Sequence, residues 1–578
     1  MKKKIITRTV NEISSDFGDD IHEVLQRIYS ARGVSSKREL DLSLSSLLSY
    51  ESLSDIQVAV NIIIEAIFQS KSILVVADFD CDGATSCAVA VRGLRSLGLE
   101  KVNYLVPNRF EYGYGLTPEI VDVAANYKPD VLITVDNGIA SIAGVVRAKE
   151  LGMQVIITDH HLQGSELPNA DAIVNPNRND DAFESKNLAG VGVIFYVLLA
   201  VRARLRDLDW FSKNDMTTPN FAELLDLVAL GTVADIVPLD VNNRILVEHG
   251  LRRIRGGHAC AGIDALLEIS KRHSDKVVAS DMGFAIGPRL NAAGRLEDMS
   301  VGIECLLSDS PKKAKELAIK LDTLNQERKE IENDMREQAF SILDSIQKNT
   351  NEADLPVAIC LYDESWHQGV IGILASRVKE RFNRPVIIFA EGLDGEIKGS
   401  ARSINGVHIR DVLDAIATQH KGLIKKFGGH AMAAGLSIEK NMFEQFNSAF
   451  KGEVSRWVNQ SDLQGYIVTD GELDSQYLTL ELASLLRHSG PWGQGFPEPV
   501  FEGDFIVLQQ RIVGEKHLKM LLQTLDGAEK INAIAFNAVD RCCPKNNDKI
   551  KITYSLDANE FRGEISLQFM VDYIEVYS

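Results

Sequence analysis

Ser72-Ile73-Leu74-Val75-Val76-Ala77-Asp78-Phe79-Asp80-Cys81-Asp82-Gly83 decides how the first half of this chain is read. An uncharged apolar run leads into aspartates at every second position and then a glycine. The same order recurs twice. Asp130-Val131-Leu132-Ile133-Thr134-Val135 leads into Asp136-Asn137-Gly138, and Gln154-Val155-Ile156-Ile157-Thr158 leads into Asp159-His160-His161. Strands that are apolar on both faces and alternate with helical stretches predict a parallel α/β sheet. Such sheets bind ligands beyond the carboxyl ends of their strands, where all three polar clusters fall.

In an extended chain, period-two spacing puts the carboxylates of Asp78, Asp80 and Asp82 on one side. Like charges so close raise one another's pKa unless a cation lies between them. Carboxylate oxygen with imidazole nitrogen suits Mn²⁺ or Mg²⁺ better than a thiolate-seeking metal. Gly83 permits a tight turn, and Ala84-Thr85-Ser86 is expected to open a helix whose N–H groups could receive phosphate. A lone Asp-Gly is usually a turn former, but three successive strand ends carrying such clusters favour a metal centre. In Leu227-Val228-Ala229-Leu230-Gly231-Thr232-Val233-Ala234-Asp235-Ile236-Val237-Pro238, one aspartate interrupts an apolar stretch. Burying a charge alone is costly, so Asp235 is expected to meet a cation or several donors.

Working outward, 578 residues with 45% apolar and 25% charged content indicate a globular protein of three or four domains. Ser310-Pro311 predicts the start of a long helix, with serine as cap and proline in the first turn, continuing to about Gln347. A second α/β pattern follows from Leu355, and after Ser461 short strands and turns predict a small β-barrel. No internal repeat or low-complexity segment is present. The seven cysteines have no metal or disulfide spacing, which suits a reducing cytoplasm. Met1-Lys2-Lys3-Lys4 lacks the apolar run of a signal peptide behind it, and no stretch suits a bilayer. A net charge of −19 argues against indiscriminate coating of nucleic acid but allows a local basic groove.

Asp78-Phe-Asp-Cys-Asp-Gly-Ala-Thr-Ser, Asp136-Asn-Gly, Asp159-His-His and Asp235 resemble, in type and order, the four motifs of the DHH phosphoesterase superfamily. By position, the resemblance implies that Asp80, Asp82, Asp136, His160 and Asp235 hold two metal ions, Mn²⁺ or Mg²⁺. It makes Asp78 a further ligand or an orienting partner and His161 a phosphate contact. Asp159 would fix the tautomer of a neighbouring histidine. Gly428-Gly429-His430-Ala431-Met432-Ala433-Ala434-Gly435 and Gly399-Ser400-Ala401-Arg402-Ser403 resemble the DHHA1 substrate-binding module.

Within the superfamily, three further segments resemble the RecJ family of 5′-to-3′ exonucleases on single-stranded DNA. They are Pro107-Asn108-Arg109 with Gly113-Tyr114-Gly115-Leu116, Gly287 to Arg295, and Trp366-His367-Gln368-Gly369-Val370-Ile371-Gly372. Gln368 stands where that family usually has an acidic residue or proline. Pro491-Trp492-Gly493-Gln494-Gly495-Phe496-Pro497-Glu498-Pro499 resembles its barrel segment, with Trp492 and Phe496 replacing the usual residues. The implied organisation is an N-terminal segment (1–48), a parallel-sheet DHH catalytic region (49–308) and a connector helix (309–350). A DHHA1 α/β domain (351–458) and an OB-like β-barrel (459–578) follow.

Arg109, Arg289, Ser400 and Arg402, with Gly429 and His430, are the candidates for binding substrate at a 5′-terminal phosphate. Phe110, Tyr112 and Tyr114 could stack on bases. The implied chemistry is two-metal hydrolysis that releases 5′-mononucleotides in DNA recombination and repair. A single-strand-binding protein and a RecQ-type helicase are the implied partners. One rival keeps the chemistry and changes the substrate: oligoribonuclease, pyrophosphatase or cyclic-dinucleotide phosphodiesterase. Another is a non-enzymatic single-strand-binding replication scaffold.

Overall fold

The structure, a computed structural model, describes residues 3–10, 13–108, 115–348, 356–392, 395–459, 462–539, 542–561 and 563–577. Arg109, Phe110, Tyr112 and Tyr114 lie outside them. A short strand, β1 (Lys4–Thr7), precedes the first sheet, which is built from β2 (Ile73–Ala77), β3 (Val102–Leu105), β4 (Val131–Val135), β5 (Gln154–Thr158) and β6 (Ala172–Val174). Its order is β3-β2-β4-β5-β6, and every pairing is parallel, as the alternating pattern predicts. Ile73, Val75 and Ala77 enter one core while Leu74 and Val76 enter another. Helices therefore cover both faces, and the strand must be apolar on both sides.

Helix Cys81–Ser96 leaves the end of β2 and packs on helices Gly190–Asp207 and Leu225–Ala234. The crossing is close at Gly93, where an added Cβ would lie 2.4 Å from Leu198 Cδ1. This helix opens at Cys81 with Asp80 as its cap, three residues earlier than expected. The chain is therefore not extended through Asp82. Asp82 sits in the first helical turn, so period-two alternation is not what gathers the three aspartates.

The long helix runs from Pro311 to Lys348, and Ser310 Oγ accepts from Lys313 N (3.4 Å), in keeping with the serine cap. One compact unit comprises Thr7–Leu324 and Thr469–Ser578, and the other comprises Met1–Ile6 and Asn325–Val468. The second unit holds a mixed sheet of β7 (Ile359–Tyr362), β8 (Val386–Glu391), β9 (Glu396–Arg402), β10 (Lys426–Gly429) and β11 (Ala433–Glu439), ordered β10-β11-β9-β8-β7. Only β7 and β8 run parallel. The glycine-rich stretch Gly428–Gly435 is thus two strands and their turn. A further strand, β12 (Tyr466–Thr469), pairs with β1.

The tail forms a closed barrel of β13 (Phe501–Val513), β14 (His517–Thr524), β15 (Lys530–Ala535), β16 (Lys549–Phe561) and β17 (Glu564–Val576). Tyr554 and Phe569 stack inside it at 4.1 Å. Trp492 and Phe496, stacked at 5.1 Å, pack against Tyr29, and Arg244 lies 4.2 Å over Phe496. These two replacements in the barrel segment are packing residues. Among the described residues, no helix is long and apolar enough to cross a membrane.

Candidate metal centre and phosphate site

The strand ends of the first sheet and the end of one helix deliver the acidic and imidazole groups to one place. Asp78 follows β2, Asp136 follows β4, and Asp159, His160 and His161 follow β5. Asp235 caps the C-terminus of helix Leu225–Ala234, so the fourth group comes from a helix and not from a strand end. His160 Nε2 lies 3.2 Å from Asp136 Oδ1, 3.5 Å from Asp235 Oδ2 and 4.0 Å from Asp82 Oδ2. Three donor groups lie within 4.8 Å in each case: Asp78, Asp80 and Asp136; Asp82, His160 and Asp235; and Asp136, His160 and His161.

Backbone amides hold the acids in place. Asp82 accepts from Gly190 N (2.6 Å) and Val191 N (3.0 Å), the first turn of an 18-residue helix whose dipole favours the anion. Asp80 accepts from Gly83 N (3.0 Å). Asp136 has φ +61°, a left-handed conformation, and its N–H donates to Thr158 O (3.0 Å). Asp159 accepts from the His160 and His161 amides, from Ile139 N (2.9 Å) and from His161 Nδ1 (2.7 Å). The histidine that Asp159 orients is therefore His161.

Burial, then the charges of neighbouring aspartates, pushes the Asp82 carboxyl up to about 7 and raises Asp136 and Asp235 well above the carboxylate range. Asp159 behaves oppositely. Burial works against its ionisation, but the hydrogen bond and charge of His161 outweigh burial and lower its pKa. For His161, burial favours the neutral ring, yet Asp159, Asp78 and Asp235 raise it to about 9.

Several positioning residues escaped the sequence reading. An added Cβ at Gly190 would lie 2.6 Å from Asp136 Cβ, and one at Gly231 would lie 2.8 Å from Asp82 Oδ1. Asn291 Oδ1 accepts from Cys81 N (2.8 Å), between Asp80 and Asp82. Asn175 and Asn177 donate to the carbonyls of His161 (2.9 Å) and His160 (2.5 Å). Each of these contacts joins segments distant in sequence or depends on a close approach that no local pattern marks.

Phosphate candidates divide between the two units. Arg289 is held by Asp322 (Nε–Oδ1 2.8 Å) and by the Ala285 carbonyl (2.6 Å). Arg402 lies at the end of β9, where its NH1 meets Ser400 Oγ (3.3 Å) and Ala401 O (2.8 Å). Its recorded partners include no carboxylate among the described residues, and burial lowers its pKa. Gly372, in the first turn of helix Ile371–Phe382, would bring a Cβ within 3.1 Å of both Ser400 Oγ and Arg402 NH2. Gly429 (φ +144°) ends β10 and His430 opens the turn to β11, which pairs with β9. Gln368 donates to Glu391 O (2.6 Å), a structural contact.

Family comparisons accord with this arrangement. The pattern described as the DHH family, N-terminal domain, matches residues 72–232, the DHHA1 domain matches 354–456, and the RecJ OB domain matches 469–573. The single-stranded-DNA-specific exonuclease RecJ of Salmonella typhimurium is 52% identical over 572 residues, covering 99% of each chain. The chain belongs to the RecJ family. The RecJ of Escherichia coli is 51% identical, covering 99% of this chain and all of that one. Crystal structures of Thermus thermophilus RecJ in complex with Mn²⁺ and with Mg²⁺ match 99% of this chain at TM-scores of 0.80 and 0.74. Their sequence identities are 28% and 26%, and 79% and 78% of those chains are covered.

The donor set here fits the cations of those RecJ structures. All its ligands are carboxylate oxygen or imidazole nitrogen, the choice expected for Mn²⁺ or Mg²⁺. A divalent cation would also relieve the repulsion that helps raise the carboxyls of Asp82, Asp136 and Asp235. Gly190 and Gly231 keep the space around Asp136 and Asp82 clear of side chains.

Proposed function

We propose that this chain is a single-stranded-DNA-specific exonuclease that digests from the 5′ end and releases 5′-mononucleotides. The observation that carries this reading is the meeting of Asp82, Asp136, His160 and Asp235 at 3.2–4.0 Å in a member of the RecJ family. Asp78, Asp80, Asp82, Asp136, His160 and Asp235 would hold two cations, with Asp136 and His160 each serving two donor groups. Bound there, the pair would stabilise the attacking and leaving oxygens of an in-line displacement. Water's oxygen bonds to phosphorus as the P–O3′ bond breaks, so the shortened strand keeps a new 5′-phosphate.

The chain's own groups prepare that reaction. The Gly190 and Val191 amides fix Asp82, and Asp159 fixes His161. With Nδ1 held by Asp159, whose charge favours the protonated ring, His161 would donate from Nε2 to a phosphate oxygen. Arg402 and Ser400, beside the first turn of helix Ile371–Phe382 and with Gly429 and His430, take the 5′-terminal phosphate. A half-buried guanidinium whose partners among the described residues include no carboxylate suits an anionic ligand. Arg109 and Arg289 are further candidates, and Arg289 would exchange Asp322 for the phosphate.

The cytoplasm suits seven free cysteines, and a single-strand-binding protein and a RecQ-type helicase are the proposed partners in repair and recombination. End-labelled single strands, digested with and without Mn²⁺, test the reading. A 5′ label should leave first, as mononucleotide, and only with the cation. A 3′ label leaving first would refute the polarity. Equal turnover of a dinucleotide would favour the small-substrate enzymes of the superfamily.

A further inference from the structure

We propose that Ile236 and Phe284 form an apolar platform for the unpaired base beside the scissile phosphodiester, an inference that rests on the exonuclease reading. Ile236 directly follows Asp235, has φ +62° and is 67% exposed. A side chain branched at Cβ is strained in the left-handed region, and glycine would remove that strain. Burial does not compensate, because most of the residue faces solvent. An exposed, strained isoleucine next to a candidate metal ligand does little for the folded chain alone, but it can contact something bound there.

Phe284 adds an independent observation. It is 83% exposed on a single π-helical turn, Met282–Ile286. Such turns concentrate at functional sites. This one packs against the helix end that carries Asp235. An added Cβ at Gly283 would lie 3.4 Å from Val233 Cγ1, and one at Gly287 would lie 3.3 Å from Ala234 Cβ. The turn is braced as well: Arg289, paired with Asp322, donates to Ala285 O at 2.6 Å. A third exposed apolar residue, Leu162 (58%), directly follows His161. Scattered exposed apolar side chains need no explanation, but these adjoin the groups that would hold the scissile phosphate.

The occupant follows from that placement. A nucleotide whose phosphate reaches Asp235 brings its own base alongside. Stacking is indifferent to base identity because every base has a π-face. In a duplex those faces are already covered by neighbouring pairs, so such a platform also favours single strands.

Two 5′-phosphorylated single-stranded oligonucleotides decide the matter, one ordinary and one abasic at its two 5′-terminal residues, each digested by the full chain with Mn²⁺. Wild type should lose about tenfold in kcat/KM on the abasic strand. Phe284→Ala should lose about as much on the ordinary strand, through KM, and nothing further on the abasic one, and Phe284→Trp should restore binding. Ile236→Gly should weaken ordinary-strand binding while holding or raising the melting temperature. The same abasic penalty in wild type and Phe284→Ala, or an unchanged KM in that variant, overturns the platform. A wild type that digests neither strand overturns the exonuclease reading beneath it.

Discussion

Two buried charged clusters in the same compact unit follow opposite rules. Around Arg32 opposite charges pair, with Arg8 adding a longer contact to the same carboxylate, Asp470 (3.6 Å). The Arg32 guanidinium grips both oxygens of Asp470 (2.7 and 3.1 Å), donates to Pro497 O and Ile28 O, and lies 5.3 Å over Trp492. The two charged side chains are 1% and 2% exposed. Around Asp136 the charges add: burial raises its pKa most, and Asp82, Asp80, Asp78 and Asp235, all of like sign, raise it further. Paired charge holds structure together, whereas gathered like charge keeps a place for a cation at some cost in stability.

The difference can be broken by substitution. The largest expected effect is from Asp136→Ala, which should lower exonuclease rate by on the order of 10³ or more. Its metal-free melting temperature should hold or rise, since one repelling carboxylate is gone. Manganese should raise the melting temperature of wild type, by about 2.7 kcal/mol of stability at a hundredfold excess over Kd, and leave this variant unmoved. A metal-free variant that melts well below wild type would show the acids to be structural.

Arg32→Ala should do the reverse. Stability should fall by about 1.5–3 kcal/mol, because buried Asp470 loses both Arg32 bonds and keeps the longer contact to Arg8 (3.6 Å) and the Val500 amide. Turnover per folded molecule should be unchanged. Denaturant unfolding beside an activity assay separates the two, and a variant as stable as wild type would erase the contrast. Asp159→Asn probes the paired charge inside the acidic cluster, because it keeps an oxygen for the amides but removes the charge paired with His161. A loss of about 10- to 100-fold in activity or metal affinity is expected. The smallest effect belongs to Asn291→Ala, which frees the Cys81 amide. We expect about tenfold weaker manganese binding, read by calorimetry, with little change in melting temperature.

The sheet and its acidic strand ends were legible because strand, cluster and helix follow one another closely. Asp78, Asp136, Asp159 and His160 need only that local order to be placed. Asp235 was legible as an oddity, a charge inside an apolar stretch, but its position on a helix end was not. The relation of Asp80 to Asp82 was misread, since it depends on whether helix or strand claims Cys81, and Asn291, 210 residues away, holds that amide. Gly190 and Gly231 were invisible for a related reason. Their importance lies in what a missing methyl leaves room for, and that depends on a helix start meeting the end of β4 at Gly190 and on two helices meeting at Gly231. Arg289 could be read as a phosphate candidate but not as a partner of Asp322, because that carboxylate sits on a helix 33 residues further on.

Asp136 and His160 each belong to two of the three overlapping donor groups. The two cation positions therefore have no separate budgets of ligand. Filling one should reshape its neighbour, so a calorimetric titration would show a joint transition instead of independent steps. Metal preference in this protein would then drift as a pair, never one seat at a time.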